Sequence, residues 1–430
     1  MNDFLHSKER GSAMPLALVA VMILLAVGVG LLSLGYNGRI FSIRTASDVA
    51  ARCAADSGVE IALFEMNKKL QVKPYAEGTL PEVINVKLPY SDQVCSYNVT
   101  GNLFSGYVIT SLGQAGRAQR AVRATIGFKG VFDHAILTKG NLWLKSGTVV
   151  DGYNSDDLSD KDVEVSIGSM STANDSVVLN NGVVINGDVS AAGGDMDMVI
   201  KDLGAKITGG KYISAPIDTP EVILPALFDK GTDISAKGET VTIGPADNGT
   251  YTGIKLESTG VPGVIEVDGE DVVLHVTGDI QLGNSCEIVV KDGSSLTIYT
   301  DGNITCALGS GINSEAPPEK STAFQLYATG EGTQDFDIKA KSTFTGVIYA
   351  PNANVDLYAN GNAYGAIVAG SFDFKNGGNF FYDEALKKKN DPDKDVVQFA
   401  VTSWDESPPM LASDIKLADV MSILEADPVK

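Results

Sequence analysis

The chain has 430 residues, of which 44% are hydrophobic, and it contains 46 glycines. This length accommodates two or more folded domains, and the glycine content favours many short turns. The formal net charge of -21 argues against a phosphate backbone as partner, because such binding depends on clustered Lys and Arg. We therefore expect no nucleic-acid partner.

The N-terminus combines a charged leader, residues 1–10, with an uncharged apolar block over residues 13–34. At the rise of an α-helix, this block spans roughly 33 Å, which is enough to cross the hydrocarbon core of a bilayer. A removable secretory signal would have an apolar core of only about 7 to 15 residues. The sequence therefore predicts a leader over residues 1–11 and a retained transmembrane helix over residues 12–35.

Residues 36–129 are predicted to form one compact domain made of a helix and a small sheet. A helical pattern continues beyond the membrane span, and its predicted apolar stripe consists of Val49, Cys53, Ser57, Ile61 and Phe64. Segments in which apolar and polar residues alternate follow at 94–100, 106–111 and 118–128. They predict a small antiparallel sheet, on which the apolar stripe is expected to pack.

Four cysteines, Cys53, Cys95, Cys286 and Cys306, fall as one pair in this domain and one pair beyond it. None has the CxxC spacing that is typical of zinc sites or thiol exchange. An even number of cysteines beyond a membrane helix favours disulfides in an oxidising compartment, and the preferred pairing joins Cys53 to Cys95. Four inert buried thiols are the alternative.

This N-terminal part resembles PilX-type minor pilins of type IV pilus systems. The resemblance rests on the leader that ends in Gly11, the apolar helix directly after it, and the sequence AADSGVE at residues 54–60. It implies cleavage by a prepilin peptidase between Gly11 and Ser12 and packing of the apolar helix among other pilins. It also implies a bacterial inner-membrane location, with the main domain periplasmic or extracellular and a pilus as one destination. A plain single-span anchor is the alternative.

From residue 130 to 386, short β-branched runs alternate with turns rich in Gly, Asn and Asp. One direct repeat has an offset of 19 residues, from Gly346 to Gly365, and aligns Ile348 with Ile367. Another has an offset of 24 residues, from 278 to 302. It places Cys306 beside Leu282 rather than beside Cys286, so whether Cys286 and Cys306 form a disulfide stays undecided. Repeats of this length predict a right-handed parallel β-helix, with a β-sandwich of hairpins as the competitor.

The repeat region resembles the passenger domain that follows PilX-type N-termini. The shared elements are DGYNS at residues 151–155, GVIYAP at 346–351, YDEAL at 382–386 and SWDE at 403–406. The resemblance implies architecture rather than activity. Residues 387–430 are predicted to form a charged linker, a strand over 396–401 and an amphipathic tail over 412–424 that packs on the end of the β-helix.

No pattern in the chain predicts an enzyme. His134 and His275 lie in no recognisable nucleophile context, and the sequence has no Gly-x-Ser-x-Gly elbow, so structural roles are expected for both. The acidic segment 151–162 offers four candidate calcium ligands, although it lacks the Gly and Glu of an EF-hand loop; they are Asp156, Asp157, Asp160 and Asp162. A solvated acidic loop is the alternative, and no other cofactor is expected.

Together, these patterns predict a mainly β, non-enzymatic, membrane-anchored pilin-like protein. Its β-helix would serve pilus assembly or cell adhesion, with a surface glycan or a protein as ligand. Two alternatives stay open. One is a membrane-tethered, carbohydrate-active β-helix enzyme, which would need clustered carboxylates on one face. The other is a plain anchored scaffold of the cell envelope.

Overall fold

The computed structural model describes residues 13–103, 105–159, 163–214, 217, 219–312, 317–340, 343–359, 361–388, 391–393, 395–406 and 410–411. As predicted, the fold is mainly β, with one long N-terminal helix and a small antiparallel sheet, and most other strands pair in parallel. The chain divides into two compact units. The first, called the head, comprises Met1–Lys69, Glu77–Gly127 and Phe399–Lys430, and the second, called the parallel unit, comprises Leu70–Ala76 and Phe128–Gln398.

The head is built from one helix and one sheet. Helix α1 runs without interruption over Ala13–Lys69, so the apolar block and the segment after it form a single helix. Four strands pair in chain order and antiparallel: β1 (Glu82–Lys87), β2 (Val94–Asn102), β3 (Gly106–Ala115) and β4 (Ala118–Gly130). The C-terminal strand Val397–Glu406 pairs with β4 and extends the sheet.

The face of α1 that packs on this sheet is not the predicted stripe. Val49, Cys53 and Phe64 are exposed, so that prediction is wrong. The buried residues are mostly small and recur at helical spacing: Ala51, Ala54, Ala55, Gly58, Val59, Ala62 and Met66. The reason is the close approach of the two backbones, because a Cβ atom on Gly113 of β3 would lie 2.0 Å from the Ala51 carbonyl oxygen.

The parallel unit consists of short strands that form a sheet of 22 strands and a sheet of four among the described residues. The strands that precede residue 230 are β5 (Ile136–Thr138), β6 (Leu142–Leu144), β7 (Val149–Tyr153), β8 (Val165–Ser169), β9 (Val177–Leu179), β10 (Val184–Ile185), β11 (Gly187–Ala191), β12 (Ile200–Asp202), β13 (Lys206–Ile207) and β14 (Lys211–Ile213). A short helix, α2 (Met196–Val199), precedes β12.

The remaining strands run from residue 234 onward. They are β15 (Ile234–Lys237), β16 (Thr240–Ile243), β17 (Gly249–Tyr251), β18 (Ile254–Glu257), β19 (Val264–Val267), β20 (Val272–Val276), β21 (Ile280–Leu282), β22 (Glu287–Val290), β23 (Leu296–Thr300), β24 (Ile304–Cys306), β25 (Gly311–Ile312), β26 (Phe324–Ala328), β27 (Gln334–Ala340), β28 (Phe344–Ala359), β29 (Asn362–Phe374), β30 (Asn379–Asp383), and, in the sheet of the head, β31 (Val397–Glu406) and β32 (Met410–Leu411). Short 3-10 helices lie at Pro245–Asp247, Pro318–Ala323 and Glu384–Lys388, and the second is kinked at Lys320.

The order of the strands in space differs from their order along the chain. The early strands pair in parallel in the order β5, β8, β11 and β14. A second series begins at β15 and stacks through β18, β21, β24, β27 and β28 to β29. Strands β29 and β30 then pair with β5, β6 and β7. We call this junction of the last strands with the first strands the seam.

Both repeats in the sequence correspond to strands that pair in parallel. Ile348 pairs with Ile367, Gly346 with Gly365, and Leu282 with Cys306, which confirms the predicted registers. Parallel pairing at these offsets does not occur in a sandwich of hairpins, whose neighbouring strands are antiparallel. The amphipathic tail over 412–424 lies outside the described residues.

Apolar side chains stack on one another from strand to strand and form the core of the parallel unit. One inward ladder crosses ten strands and the seam, and all its members are buried: Ile234, Ile254, Ile280, Ile304, Phe336, Val355, Phe372, Leu142, Val177 and Ile200. Each strand buries its apolar side chains against those of the next, so the stability of a repeat depends on its neighbours.

We predict that Gly365→Ala destabilises the parallel unit by about 1–3 kcal/mol. Gly365 has φ of 128°, and an added Cβ atom would lie 1.9 Å from the Gly346 carbonyl oxygen in the paired strand. Gly332→Ala is the matched control, because a Cβ atom added to Gly332 would enter open space, with nothing within 4 Å. Denaturant unfolding of both variants measures the difference, and equal midpoints would contradict the stacking geometry.

Candidate functional site

The first half of α1 has an exposed apolar surface. Within the described residues, Met14–Lys69 is the single helix that is long and apolar enough to cross a membrane, judged by length and composition. Large side chains along it face outward, such as Leu16, Leu24 and Leu32, of which 78%, 70% and 76% are exposed. Pro15 lies in the first turn, where its missing N–H breaks no helical hydrogen bond.

Two ion pairs connect the second half of α1 to the sheet of the head. Arg120 Nε on β4 donates to Asp48 Oδ1 at 2.6 Å, and a second nitrogen of the same guanidinium contacts Oδ2. This hydrogen bonding lowers the pKa of the Asp48 carboxyl below its usual value. One turn further on, Arg52 Nη2 lies 3.2 Å from Glu406 Oε2 of the C-terminal strand, β31. Helix, β4 and C-terminal strand are therefore linked near the point where the docked half of the helix begins.

Asp56 is the unusual polar residue of this interface. Its Oδ1 atom is buried and has no hydrogen-bond partner among the described residues. Burial raises the pKa of the Asp56 carboxyl, an effect that nearby Arg52 opposes and Glu406 reinforces. Sequence reasoning did not identify Asp56 as part of the contact between helix and sheet. The signal that could have done so is its position next to Ala55 and near Gly58, two small residues that are buried.

Gly58 and Cys95 show how tightly the helix lies on the sheet. A Cβ atom on Gly58 would lie 2.2 Å from Ser111 Oγ and 3.4 Å from Cys95 Cβ. Cys95 is thus buried beneath Gly58, whereas Cys53 is exposed. All four cysteines are free thiols in this structure, so it contains neither the preferred Cys53–Cys95 bond nor the Cys286–Cys306 bond that the repeat left undecided. Burial raises the pKa of the Cys95 thiol and raises that of Cys306 to about 11, which keeps both in the unreactive protonated form.

The remaining predicted site residues are not brought together. The cleavage site, Gly11 and Ser12, lies outside the described residues, and so do Asp160 and Asp162. Asp156 Oδ2 accepts from Lys388 Nζ at 2.8 Å. Asp157 Oδ1 accepts from the Ser159 hydroxyl at 2.6 Å, which lowers the pKa of Asp157. In the described part of the chain, no group of three or more His, Cys, Asp or Glu side chains is placed to hold a metal ion.

Each of the two histidines after the leader contacts side chains that lie on or directly beside strands of the parallel unit. His134 Nδ1 lies 2.9 Å from Ser166 Oγ, and burial lowers the pKa of His134. His275 Nε2 lies 3.0 Å from Asp301 Oδ2, and its Nδ1 lies 3.4 Å from Thr250 Oγ1. His134 lies just before β5 and contacts β8, whereas His275 on β20 contacts β17 and the residue directly after β23.

Comparison with known proteins finds a match to a family model and matches to solved structures. Residues 218–389 match a family described as a domain of unknown function, DUF7305, which covers less than half of the chain. The crystal structure of the competence-associated pilin ComZ from Thermus thermophilus matches with 12% identity, over 84% of this chain and 98% of that chain, at a TM-score of 0.21. A TM-score this low supports no inference about a shared fold. No curated protein matches the chain.

We predict that Asp56→Asn stabilises the head by less than about 1 kcal/mol at pH 7, because it removes the charge of a half-buried carboxyl whose Oδ1 atom has no hydrogen-bond partner among the described residues. Folding raises the pKa of this carboxyl, so its ionisation destabilises the folded protein. The loss begins as the pH rises above the unfolded pKa, about 4, and is complete above the folded pKa. The gain should therefore disappear below about pH 4. Thermal unfolding at several pH values measures it.

The control for this prediction is Glu60→Gln, which makes the same charge change one turn away at an exposed position. It should leave the unfolding temperature almost unchanged. A gain from Glu60→Gln equal to that from Asp56→Asn would assign the effect to net charge rather than to the burial of Asp56.

Proposed function

We propose that this chain is a pilin-like protein of the bacterial inner membrane, cut by a prepilin peptidase between Gly11 and Ser12 and anchored by the first half of α1. The observation that carries the proposal is the continuity of α1. One helix presents an exposed apolar half, long enough to span a bilayer, and a second half docked on a small antiparallel sheet. A helix of 57 residues in this arrangement extends far beyond what a membrane span alone requires.

Exposed apolar surface on this scale needs a partner. Side chains between Met14 and Leu34 would be covered by lipid tails in the membrane, and by the corresponding helices of other pilins in a filament. Beyond the bilayer, Tyr36, Phe41 and Val49 are also exposed, which favours protein partners along the helix in addition to lipid. PilX-type assembly is the specific form that the sequence resemblance suggests.

We also infer that the parallel unit is a parallel β-helix, displayed on the periplasmic or extracellular side for adhesion or for pilus assembly. Parallel pairing at offsets of one repeat and the continuous inward ladder support this architecture. The proposed role is non-enzymatic. The contacts that the two histidines make with side chains from neighbouring parts of the stack support structural roles for them.

Mass determination of the mature N-terminus tests the pilin proposal. The full chain is produced in the membrane together with a prepilin peptidase, and we expect a mature chain that begins at Ser12. Gly11→Leu should leave Met1 in place, since it alters the residue before the cut. Gly28→Leu is the control, because its surroundings are open and it lies within the span. A wild-type chain that retains residues 1–11 would contradict the pilin proposal and leave a plain membrane anchor.

A further inference from the structure

Polar and aromatic side chains follow one outer face of the parallel unit across the seam. The registers of β27, β28, β29 and β6 place Asp337, Asp356, Asp373 and Trp143 side by side on consecutive strands. Lys375 directly follows β29, two residues after Asp373, and Lys145 directly follows β6, two residues after Trp143. We call these six residues the Trp143 face.

Opposite charges balance each other on this face. Lys375 Nζ lies 2.7 Å from Asp373 Oδ2 and 3.1 Å from Asp356 Oδ2, and Lys145 Nζ lies 3.5 Å from the same Asp373 oxygen. Asp337 is paired in the same way with Lys339, at 3.0 Å. The face has three carboxylates and two ammonium groups, and the neighbouring Lys339 supplies a third ammonium group. Together these groups carry no net charge that would attract an anionic or a cationic polymer.

Hydrogen-bonding capacity nevertheless remains. A carboxylate has about four lone-pair positions and an ammonium group has three donors, which these few contacts do not use up. The side chains of Asp337 and Asp356 are 40% and 41% exposed, so solvent or a ligand can reach them. Closely spaced donors and acceptors without net charge match a ligand that carries many hydroxyl groups.

Trp143 adds an apolar platform at the end of the carboxylate row. The residue is 44% exposed, and Lys145 Nζ lies 3.9 Å from the centroid of its ring. Lys145 therefore covers one face of the indole, and a ligand stacks on the other face. Indole rings combine a large apolar surface with a polar edge, which is why exposed tryptophans are common at binding surfaces. The axial C–H groups of a pyranose ring form the kind of apolar surface that stacks on such a ring.

The spacing of the strands matches the repeat of a sugar chain. Neighbouring strands lie about 4.8 Å apart, so the face presents one side chain per strand at that interval, a length comparable to one hexose unit in an extended chain. We propose that the Trp143 face binds a neutral polysaccharide that runs across the strands. One sugar ring stacks on the face of Trp143 that Lys145 does not cover, and hydroxyls further along the chain bind Asp356 and Asp337, the two exposed carboxylates. This proposal rests on the surface-display role proposed above and names its ligand class.

Affinity electrophoresis and fluorescence titration of the full-length, detergent-solubilised chain test the proposal. The neutral probes are cellohexaose, mannohexaose and chitohexaose, and polygalacturonate is the anionic comparison. We expect at least one neutral probe to bind more tightly than polygalacturonate. Trp143→Ala should weaken that binding by about tenfold or more, and Asp356→Asn by a smaller factor.

Trp404→Ala is the matched control, because Trp404 is similarly exposed, at 41%, but lies on the C-terminal strand in the head. It should leave glycan binding unchanged, and Trp143→Phe should retain most of it. Unchanged unfolding midpoints would show that the variants fold. Failure of all three neutral probes, tighter binding of polygalacturonate, or equal binding by wild type and Trp143→Ala would each overturn the proposal.

Two further readouts separate this proposal from the pilin proposal. The mature N-terminus and membrane retention should be the same in wild type and Trp143→Ala. Glycan binding by a chain that keeps Met1 would support the Trp143 face and contradict the pilin proposal. Release of reducing ends from a bound glycan would contradict the non-enzymatic role while leaving the location of the glycan site intact.

Discussion

The head depends on the close contact between the backbones of α1 and β3. Gly113 has no room for a Cβ atom beside Ala51, and Gly58 has none beside Ser111. Small residues at both surfaces let the helix lie directly on the sheet, and larger side chains would separate them. Since α1 is continuous over Ala13–Lys69, this contact also fixes the direction in which the exposed apolar half leaves the head.

The parallel unit depends on a different constraint, the stacking of each repeat on the next. Its inward ladder continues from Phe372 of β29 to Leu142 of β6. At the seam, the last strands along the chain therefore pack on the first ones in the same way as successive repeats pack on each other. Because short strands cannot bury their apolar face alone, the first strands need the last ones. We therefore expect the unit to be stable only when both series of strands are present.

Sequence reasoning succeeded where local pattern and structure coincide. The offsets of 19 and 24 residues gave the correct registers, because stacked repeats place equivalent residues side by side. It failed for the helix face, since a contact made by Ala51, Ala54 and Gly58 has little hydrophobic signal, whereas Val49 and Phe64 have a strong one and lie exposed. The seam and the pairing of the C-terminal strand with β4 were also missed, because both join segments that are far apart in the chain. The Trp143 face exists because β6 pairs with β29 at the seam, so the sequence could not predict it either.

The central claim is that the two halves of α1 occupy different environments, one apolar and one aqueous. Labelling with a membrane-impermeant maleimide in intact spheroplasts tests it directly. Native Cys53 is exposed on the docked half and should be labelled in reduced protein, whereas Cys95, Cys286 and Cys306 are buried. In a Cys53→Ser background, Ser33→Cys should be labelled only after detergent is added. Equal labelling of position 33 and of Cys53 without detergent would contradict the claim.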